Sequence, residues 1–419
     1  MIHARTHEPP LCPLTLAARP SRFLFLSILI CCTITLASNT FASSIHIVSS
    51  ASDVTTAMLT AQPGDVLVWT DGTYNDQAIG FYGANGTAEH PITLRAQTPG
   101  GVILTGNSKI SIGGEYLIVS GFELSGPPTS TLSYSVQFRE DSSNLARHCR
   151  LSNTRINNHD GPSGHKWIQI YGSNNRVDHC SFENKTKISQ TMVIWLSGLA
   201  SGEIPNHRID HNAFLGHTSG GGANDWETIR IGTSSTVDVD AHCVISDNYF
   251  YQCDGELETI SNKSNFNRYL RNTLEDCQGQ LSLRHGNNCH VEGNFFSGTG
   301  DSYESGVRIH GKNHVVINNY FQNLGGTNGR GSIVLGEGQL NASSSGYVPV
   351  ENAVVAFNTI VNCKVAFEIG YGIGSKSHQC INLIIKSCLQ SSRTLPRWKR
   401  TININICANN LIHIKAFNT

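Results

Sequence analysis

One asparagine recurs along this chain at a fixed place in a repeated phrase. The phrase is an apolar residue, a short spacer, the asparagine, and an aromatic or aliphatic residue two positions later. It reads HRIDHNAFLGH at 207–217, CVISDNYFYQC at 243–253, NRYLRNTLEDC at 267–277 and CHVEGNFFSGT at 289–299. It continues as HVVINNYFQNL at 314–324 and AVVAFNTIVNC at 353–363. The asparagines are Asn212, Asn248, Asn272, Asn294, Asn319 and Asn358, and Cys180 holds the same place in NRVDHCSFENK at 175–185. The shortest interval is 22 residues, and the longer ones leave room for loops. A period of that size means a solenoid. The copies lack the helical half of a leucine-rich repeat. Short strands rich in Asn and Gly leave an all-β reading, a right-handed parallel β-helix with about three strands per turn. Turns of such a stack lie about 4.8 Å apart. The repeated side-chain amide then bridges the backbones of neighbouring turns, and the residue two later points into the core. These asparagines and aromatics are therefore scaffold, not ligands.

Composition agrees with that reading. Charged residues are 15% of the 419, Gly numbers 40 and the net charge is −1. Nothing in the balance calls for a nucleic-acid partner. The first 42 residues read as a secretory signal: Arg19 and Arg22 precede the apolar run FLFLSILICCTITLA at 23–37, and small residues follow to Ala42. The run is shorter than the roughly 20 residues of a spanning helix, and no later segment is a membrane candidate. The protein is thus expected to be exported, to the periplasm or beyond. Residues 43–419 form one β-helix domain, opened by a short capping helix over about 52–61. The segment 376–405 breaks the repeat and is locally basic, as an insertion or an altered C-terminus would be. ICANNLI at 406–412 resembles one more turn. Of 13 cysteines three lie in the leader. The others show no CxxC or zinc-like spacing, and most are expected as small buried residues of the stack.

The chemistry gathers between Asn224 and Arg284, in NDWETIRIGTS, GELETISNKSNFN and LSLRHGN. Glu256 and Glu258 are two apart and share a face if their segment is a strand. Asn224 precedes Glu256 by about one turn plus a loop. Two carboxylates and an amide oxygen suit Ca²⁺; a merely charged surface strand pair is the alternative. Lys263 and Arg284 lie one turn apart and should stack beside the carboxylates. A lysine so placed suits a general base, although two solvated surface cations would have the same spacing. Arg308 lies one turn beyond Arg284 and reads as a carboxylate-binding residue or a surface ion pair. His285 would face away in a regular strand and reaches the site only across a bend. Lys185 follows a repeat end and reads as lining the groove. Arg230 and Glu227 read as a second layer behind Asn224, or as a structural ion pair.

These motifs, together with SGVRIHGKNHVVINNYFQNL and HKWIQIYGSNNRVDHCSFENK (165–185), resemble polysaccharide lyase family six, which includes alginate lyases and chondroitinase B. The similarity runs from about 45 to about 375. It implies the β-helix fold, calcium ligands at Asn224, Glu256 and Glu258, a Brønsted base at Lys263 and a Brønsted acid at Arg284. It implies β-elimination on an anionic uronate polysaccharide, with alginate as the expected substrate. A dermatan-type glycan is one alternative, and a non-catalytic polysaccharide-binding β-helix is another. The polygalacturonase type of hydrolase, which needs paired carboxylic acids as acid and base, lacks its Asp cluster here.

Overall fold

In the computed structural model the described residues are 43–162, 164–339 and 342–371, with three short strands beyond them. Residues 1–42 and most of 372–419 lie outside the described residues, so the expected signal peptide and the expected turn at 406–412 do too. Nearly every strand is parallel. They form two 13-stranded sheets and one 11-stranded sheet, each ordered along the chain with every neighbour one turn away. This is the expected parallel β-helix. Within the segment that breaks the repeat, strands Ile384–Lys386 and Cys388–Ser391 continue the first and second sheets. Among the described residues no helix is long and apolar enough to cross a membrane.

The asparagine ladder forms as the repeat requires. The Oδ1 atom of Asn248 accepts from the backbone N–H of Asn212 at 3.0 Å, and that of Asn272 accepts from Asn248 at 3.1 Å. The series runs on through Asn294, Asn319 and Asn358. Each Nδ2 donates to a carbonyl of the preceding turn, as from Asn248 to Ile209 at 2.9 Å. A buried amide without those partners would cost about 1–3 kcal/mol per unsatisfied group. At the cysteine of the series the thiol donates instead, from Cys180 to the Leu151 carbonyl at 3.8 Å. The residues two positions later stack inside: Phe182, Phe214 and Phe250 at 5.0 and 4.7 Å, then Phe296 and Phe321 at 4.8 Å. The seven cysteines whose side chains are described are free and buried.

The capping helix spans Ala51–Met58, slightly shorter than its expected range. Ser50 caps it by accepting from the Asp53 N–H. It packs Val54 and Met58 against the first strand of the third sheet, Ala78–Phe81. That covers apolar residues which no earlier strand could cover.

Candidate functional site

The site stands on the outer face of the third sheet. Four adjacent strands carry it: Ile229–Ile231, Ile260–Lys263, Leu281–His285 and Val307–Ile309. Ile229, Ile260, Leu281 and Val307 pair in register and are fully buried. Strand alternation therefore turns the next residues, Arg230, Ser261, Ser282 and Arg308, outward as one row. Ahead of these strands the chain bends, and the bends bring the acids together.

Glu227, Glu256 and Glu258 converge, with a carboxylate oxygen from each lying within 4.8 Å of the others. Glu256 and Glu258 belong to a bend, not to a strand as their spacing suggested. The bend is held close to the preceding loop: Gly220 N–H donates to the Gly255 carbonyl at 2.7 Å. A Cβ at Gly255 would sit 1.9 Å from the Trp226 carbonyl oxygen, so only glycine allows that approach. Glu258 is fixed by the Ser261 and Ser282 hydroxyls, the latter at 3.1 Å. Glu227 accepts from Gln190 Nε2 at 2.7 Å. Among the described residues no hydrogen bond or ion pair reaches the Glu256 carboxyl. Burial, then Glu227 and Glu258, push its pKa up to about 9.

Two cations flank this acidic cluster from different sides. Lys263 Nζ lies 3.7 Å from Glu227 and Arg284 Nε lies 3.8 Å from Glu258. They do not stack directly as their spacing suggested. The register shifts between Asn262 and Lys263, so Lys263 pairs with His285. That irregularity is the bend His285 required. His285 is buried, its Nε2 has no hydrogen-bond partner, and burial beside Arg284 and Lys263 lowers its pKa to about 3. It is a neutral imidazole at neutral pH. Arg308 pairs in register with Ser282, not Arg284. It and Arg284 nevertheless converge on one ring: their guanidinium carbons lie 4.9 and 3.6 Å from the centre of Tyr347. Arg284 also donates to the Ser345 carbonyl at 3.1 Å. Burial lowers its pKa, with Tyr347 and Glu258 opposing the shift.

Asn224 stands exposed on the loop leading into Ile229–Ile231. The carboxylate that this turn brings to the cluster belongs to Glu227. Arg230 pairs with Asp225 at 2.8 Å and approaches Glu227 at 3.9 Å. Glu227 is thus part of the acidic centre rather than a layer behind it. Its interval to Glu258 nearly equals that from Asn224 to Glu256, and this was the signal available for it. Tyr347 carried no such signal, because it comes from a distant loop. Lys185 is a correction. Its side chain is 1% exposed, bonded to Asp160 at 2.8 Å and to the His165 carbonyl at 3.1 Å. It does not line a groove, because the strand end that bears it turns inward.

Three carboxylates this close repel one another unless protonated or neutralised. The nearby cations are already divided among Glu227, Glu258 and Asp225. The donor set is all oxygen and one member has no partner, which fits a hard divalent cation such as Ca²⁺.

The profile of the Chondroitinase B family matches residues 48–418. The fold is similar to the PL6 family alginate lyase AlyGC, with a TM-score of 0.78 and 32% identity over 90% of this chain and 49% of that one. The chain therefore spans about half the length of that relative. It is also similar to a mannuronic acid specific family 6 lyase from human gut microbiota, with a TM-score of 0.74, 28% identity and 84% and 81% coverage. The polysaccharide lyase Pedsa3628 from Pseudopedobacter saltans shares the fold, at a TM-score of 0.73 with 24% identity over 89% and 92%. No curated protein matches the chain closely. The repeat, the stacked sheets and the profile match over nearly the whole β-helix lead to one conclusion: this chain belongs to the Chondroitinase B family, within polysaccharide lyase family six.

Proposed function

We propose that the protein is an exported polysaccharide lyase that cleaves a uronate-containing polysaccharide, alginate, by β-elimination. One observation carries the reading: three converging carboxylates, one buried and two half-buried, flanked by a lysine at 3.7 Å and an arginine at 3.8 Å. Elimination next to a uronate carboxyl needs charge withdrawal there, a base at C5 and support for the departing O4. Glu227, Glu256 and Glu258, with Asn224 from the adjoining loop, would hold Ca²⁺, which when bound draws charge from the substrate carboxylate and acidifies C5–H.

The remaining steps belong to the chain's own side chains. Lys263 takes the C5 proton. The C5–H electrons form the C4=C5 double bond, and O4 leaves with the electron pair of its bond to C4. Arg284 donates hydrogen bonds to that oxygen as charge develops, while water supplies its proton, since a guanidinium releases protons poorly. Tyr347 and the Ser345 carbonyl hold the guanidinium in place. Arg308 and the neutral His285 stand beside it to bind substrate. The products are a new reducing end and a 4,5-unsaturated uronate.

Alginate as substrate draws support from the two relatives above 25% identity, described as an alginate lyase and a mannuronic acid specific lyase. The family's namesake keeps a dermatan-type glycan as the second reading. The intact Lys263 and Arg284 argue against a purely binding β-helix. The test is incubation with polymannuronate, polyguluronate, alginate and dermatan sulfate, with Ca²⁺ or chelator, following the ultraviolet absorbance of the unsaturated uronate. A rise on alginate that chelator suppresses is expected. No rise on any of the four overturns the reading.

A further inference from the structure

Lys263 occupies a column that runs well below the acidic cluster. On the third sheet Gln137, Gln169, Val193, Arg230 and Ser261 pair in register, turn by turn. The residues two positions after them are Arg139, Tyr171, Trp195, Gly232 and Lys263. The first three of these form a continuous stack. The Arg139 guanidinium carbon lies 3.9 Å from the Tyr171 ring centre. Tyr171 and Trp195 are stacked at 6.0 Å with an interplanar angle of 16°. Arg230 closes the far end, 5.5 Å from the Trp195 ring. Gln169 locks both rings from the side: its Oε1 accepts from the Tyr171 hydroxyl at 3.0 Å and from Trp195 Nε1 at 2.8 Å.

The two ends of the stack differ. Arg230 is buried and spends its charge on Asp225 and Glu227. Arg139 is half-buried, and among the described residues no carboxylate lies within ion-pair distance of it. Asp141 nearby is exposed and already accepts from Ser143 and Asn144. Arg139 is thus a guanidinium fixed by its ring contact, with donors still available. An arginine held in one orientation loses little freedom when it binds a carboxylate in a forked geometry. Its ring contact also persists while its edge makes hydrogen bonds. Four turns separate its strand from that of Lys263, or about 19 Å at the strand spacing. Gly232, between Trp195 and Lys263, leaves the column without a side chain over one turn.

We propose that Arg139 is a distal subsite that binds a uronate carboxylate of the polysaccharide chain, roughly four sugars from the bond cleaved above Lys263. This rests on the lyase reading, because a polyanion lying along the third sheet is what presents carboxylates at that distance. Arg139 binds and does not take part in the elimination. The subsite therefore acts on affinity, and only for chains long enough to reach it.

The test uses uronate oligosaccharides from two to eight residues and calorimetric binding on a Lys263→Ala background, so that no chain is cut during the measurement. Adding Arg139→Met, which keeps an apolar contact over Tyr171, is expected to weaken octamer binding about tenfold and leave dimer binding unchanged. Arg139→Lys is expected to recover part of the loss. Thermal unfolding of each variant guards against a folding defect. Equal octamer affinity with and without Arg139, or an equal loss for dimer and octamer, overturns the proposal. Absence of unsaturated product from the unmutated protein would instead overturn the lyase reading, while the length dependence of binding would still be read.

Discussion

Lys185 and Lys263 both sit among carboxylates, on different sheets of the same stack, and their surroundings are opposite in kind. Lys185 is 1% exposed and faces one acid, Asp160. That acid is saturated: besides Lys185 it accepts from Trp167 Nε1 at 3.0 Å, from the Lys187 N–H at 3.0 Å and from Thr186. Burial pushes the Asp160 pKa up, but Lys185 and these backbone donors hold it below the ordinary value. Lys263 is 18% exposed and approaches Glu227 only to 3.7 Å, beside two further carboxylates. There the balance goes the other way, and Glu256 is held well above its ordinary value. A charge whose every bond is met inside the protein has nothing left to offer a ligand. A charge in a crowded, underpaired group does. From sequence Lys185 reads as lining the groove and Lys263 as a base beside the carboxylates; what separates them in the structure is how completely their partners are satisfied.

The sharpest way to break this comparison is to remove each lysine in turn. Lys263→Ala is expected to cut the rate of unsaturated-product formation about 10²–10⁴-fold, as loss of a general base does, with the thermal midpoint nearly unchanged. Lys185→Ala should do the reverse. It leaves Asp160 buried and unpaired and should cost about 3–5 kcal/mol of stability, while the folded fraction keeps its activity. A catalytic loss at Lys185 without a stability loss would erase the distinction.

The acidic cluster sharpens it further. Calcium at about 100 times its dissociation constant should raise stability by about 2.7 kcal/mol, read as a shift in the thermal midpoint. Glu256→Gln should abolish most of that shift. Asn272→Ala, a scaffold control, should cost about 1–3 kcal/mol through its unsatisfied neighbours and leave the calcium response intact.

The pH response differs in sign between the two regions. Asp160 is depressed in the folded protein, so its contribution is present above the unfolded carboxylate value near about 4 and is lost as pH falls through the folded value. Glu256 is raised, so without calcium the folded state holds an extra proton between the unfolded value of about 4.3 and about 9. Stability of the calcium-free protein should therefore fall as pH rises through that window. Glu256→Gln should flatten the slope, and chemical unfolding at several pH values would reveal whether it does.

Much of the site is legible in the sequence. Glu256, Glu258, Lys263 and Arg284 could be picked out because a short period makes sequence distance a measure of height in the stack. The period stops being a guide where the chain departs from it. The two glutamates converge through a bend closed at Gly255, not through strand alternation. Lys263 and Arg284 are offset because the register slips after Asn262. Tyr347 reaches Arg284 from a loop whose path no repeat encodes.

The sequence by itself determined the solenoid, since an asparagine returning at each turn can satisfy its amide in only one kind of stack, and the same period set which turns hold the acids and the cations. Only the tertiary structure decided which charges remain unmet. Lys185 and Lys263 are the same residue type in similar company, and whether a partner is saturated depends on bond distances and burial, which local sequence does not carry.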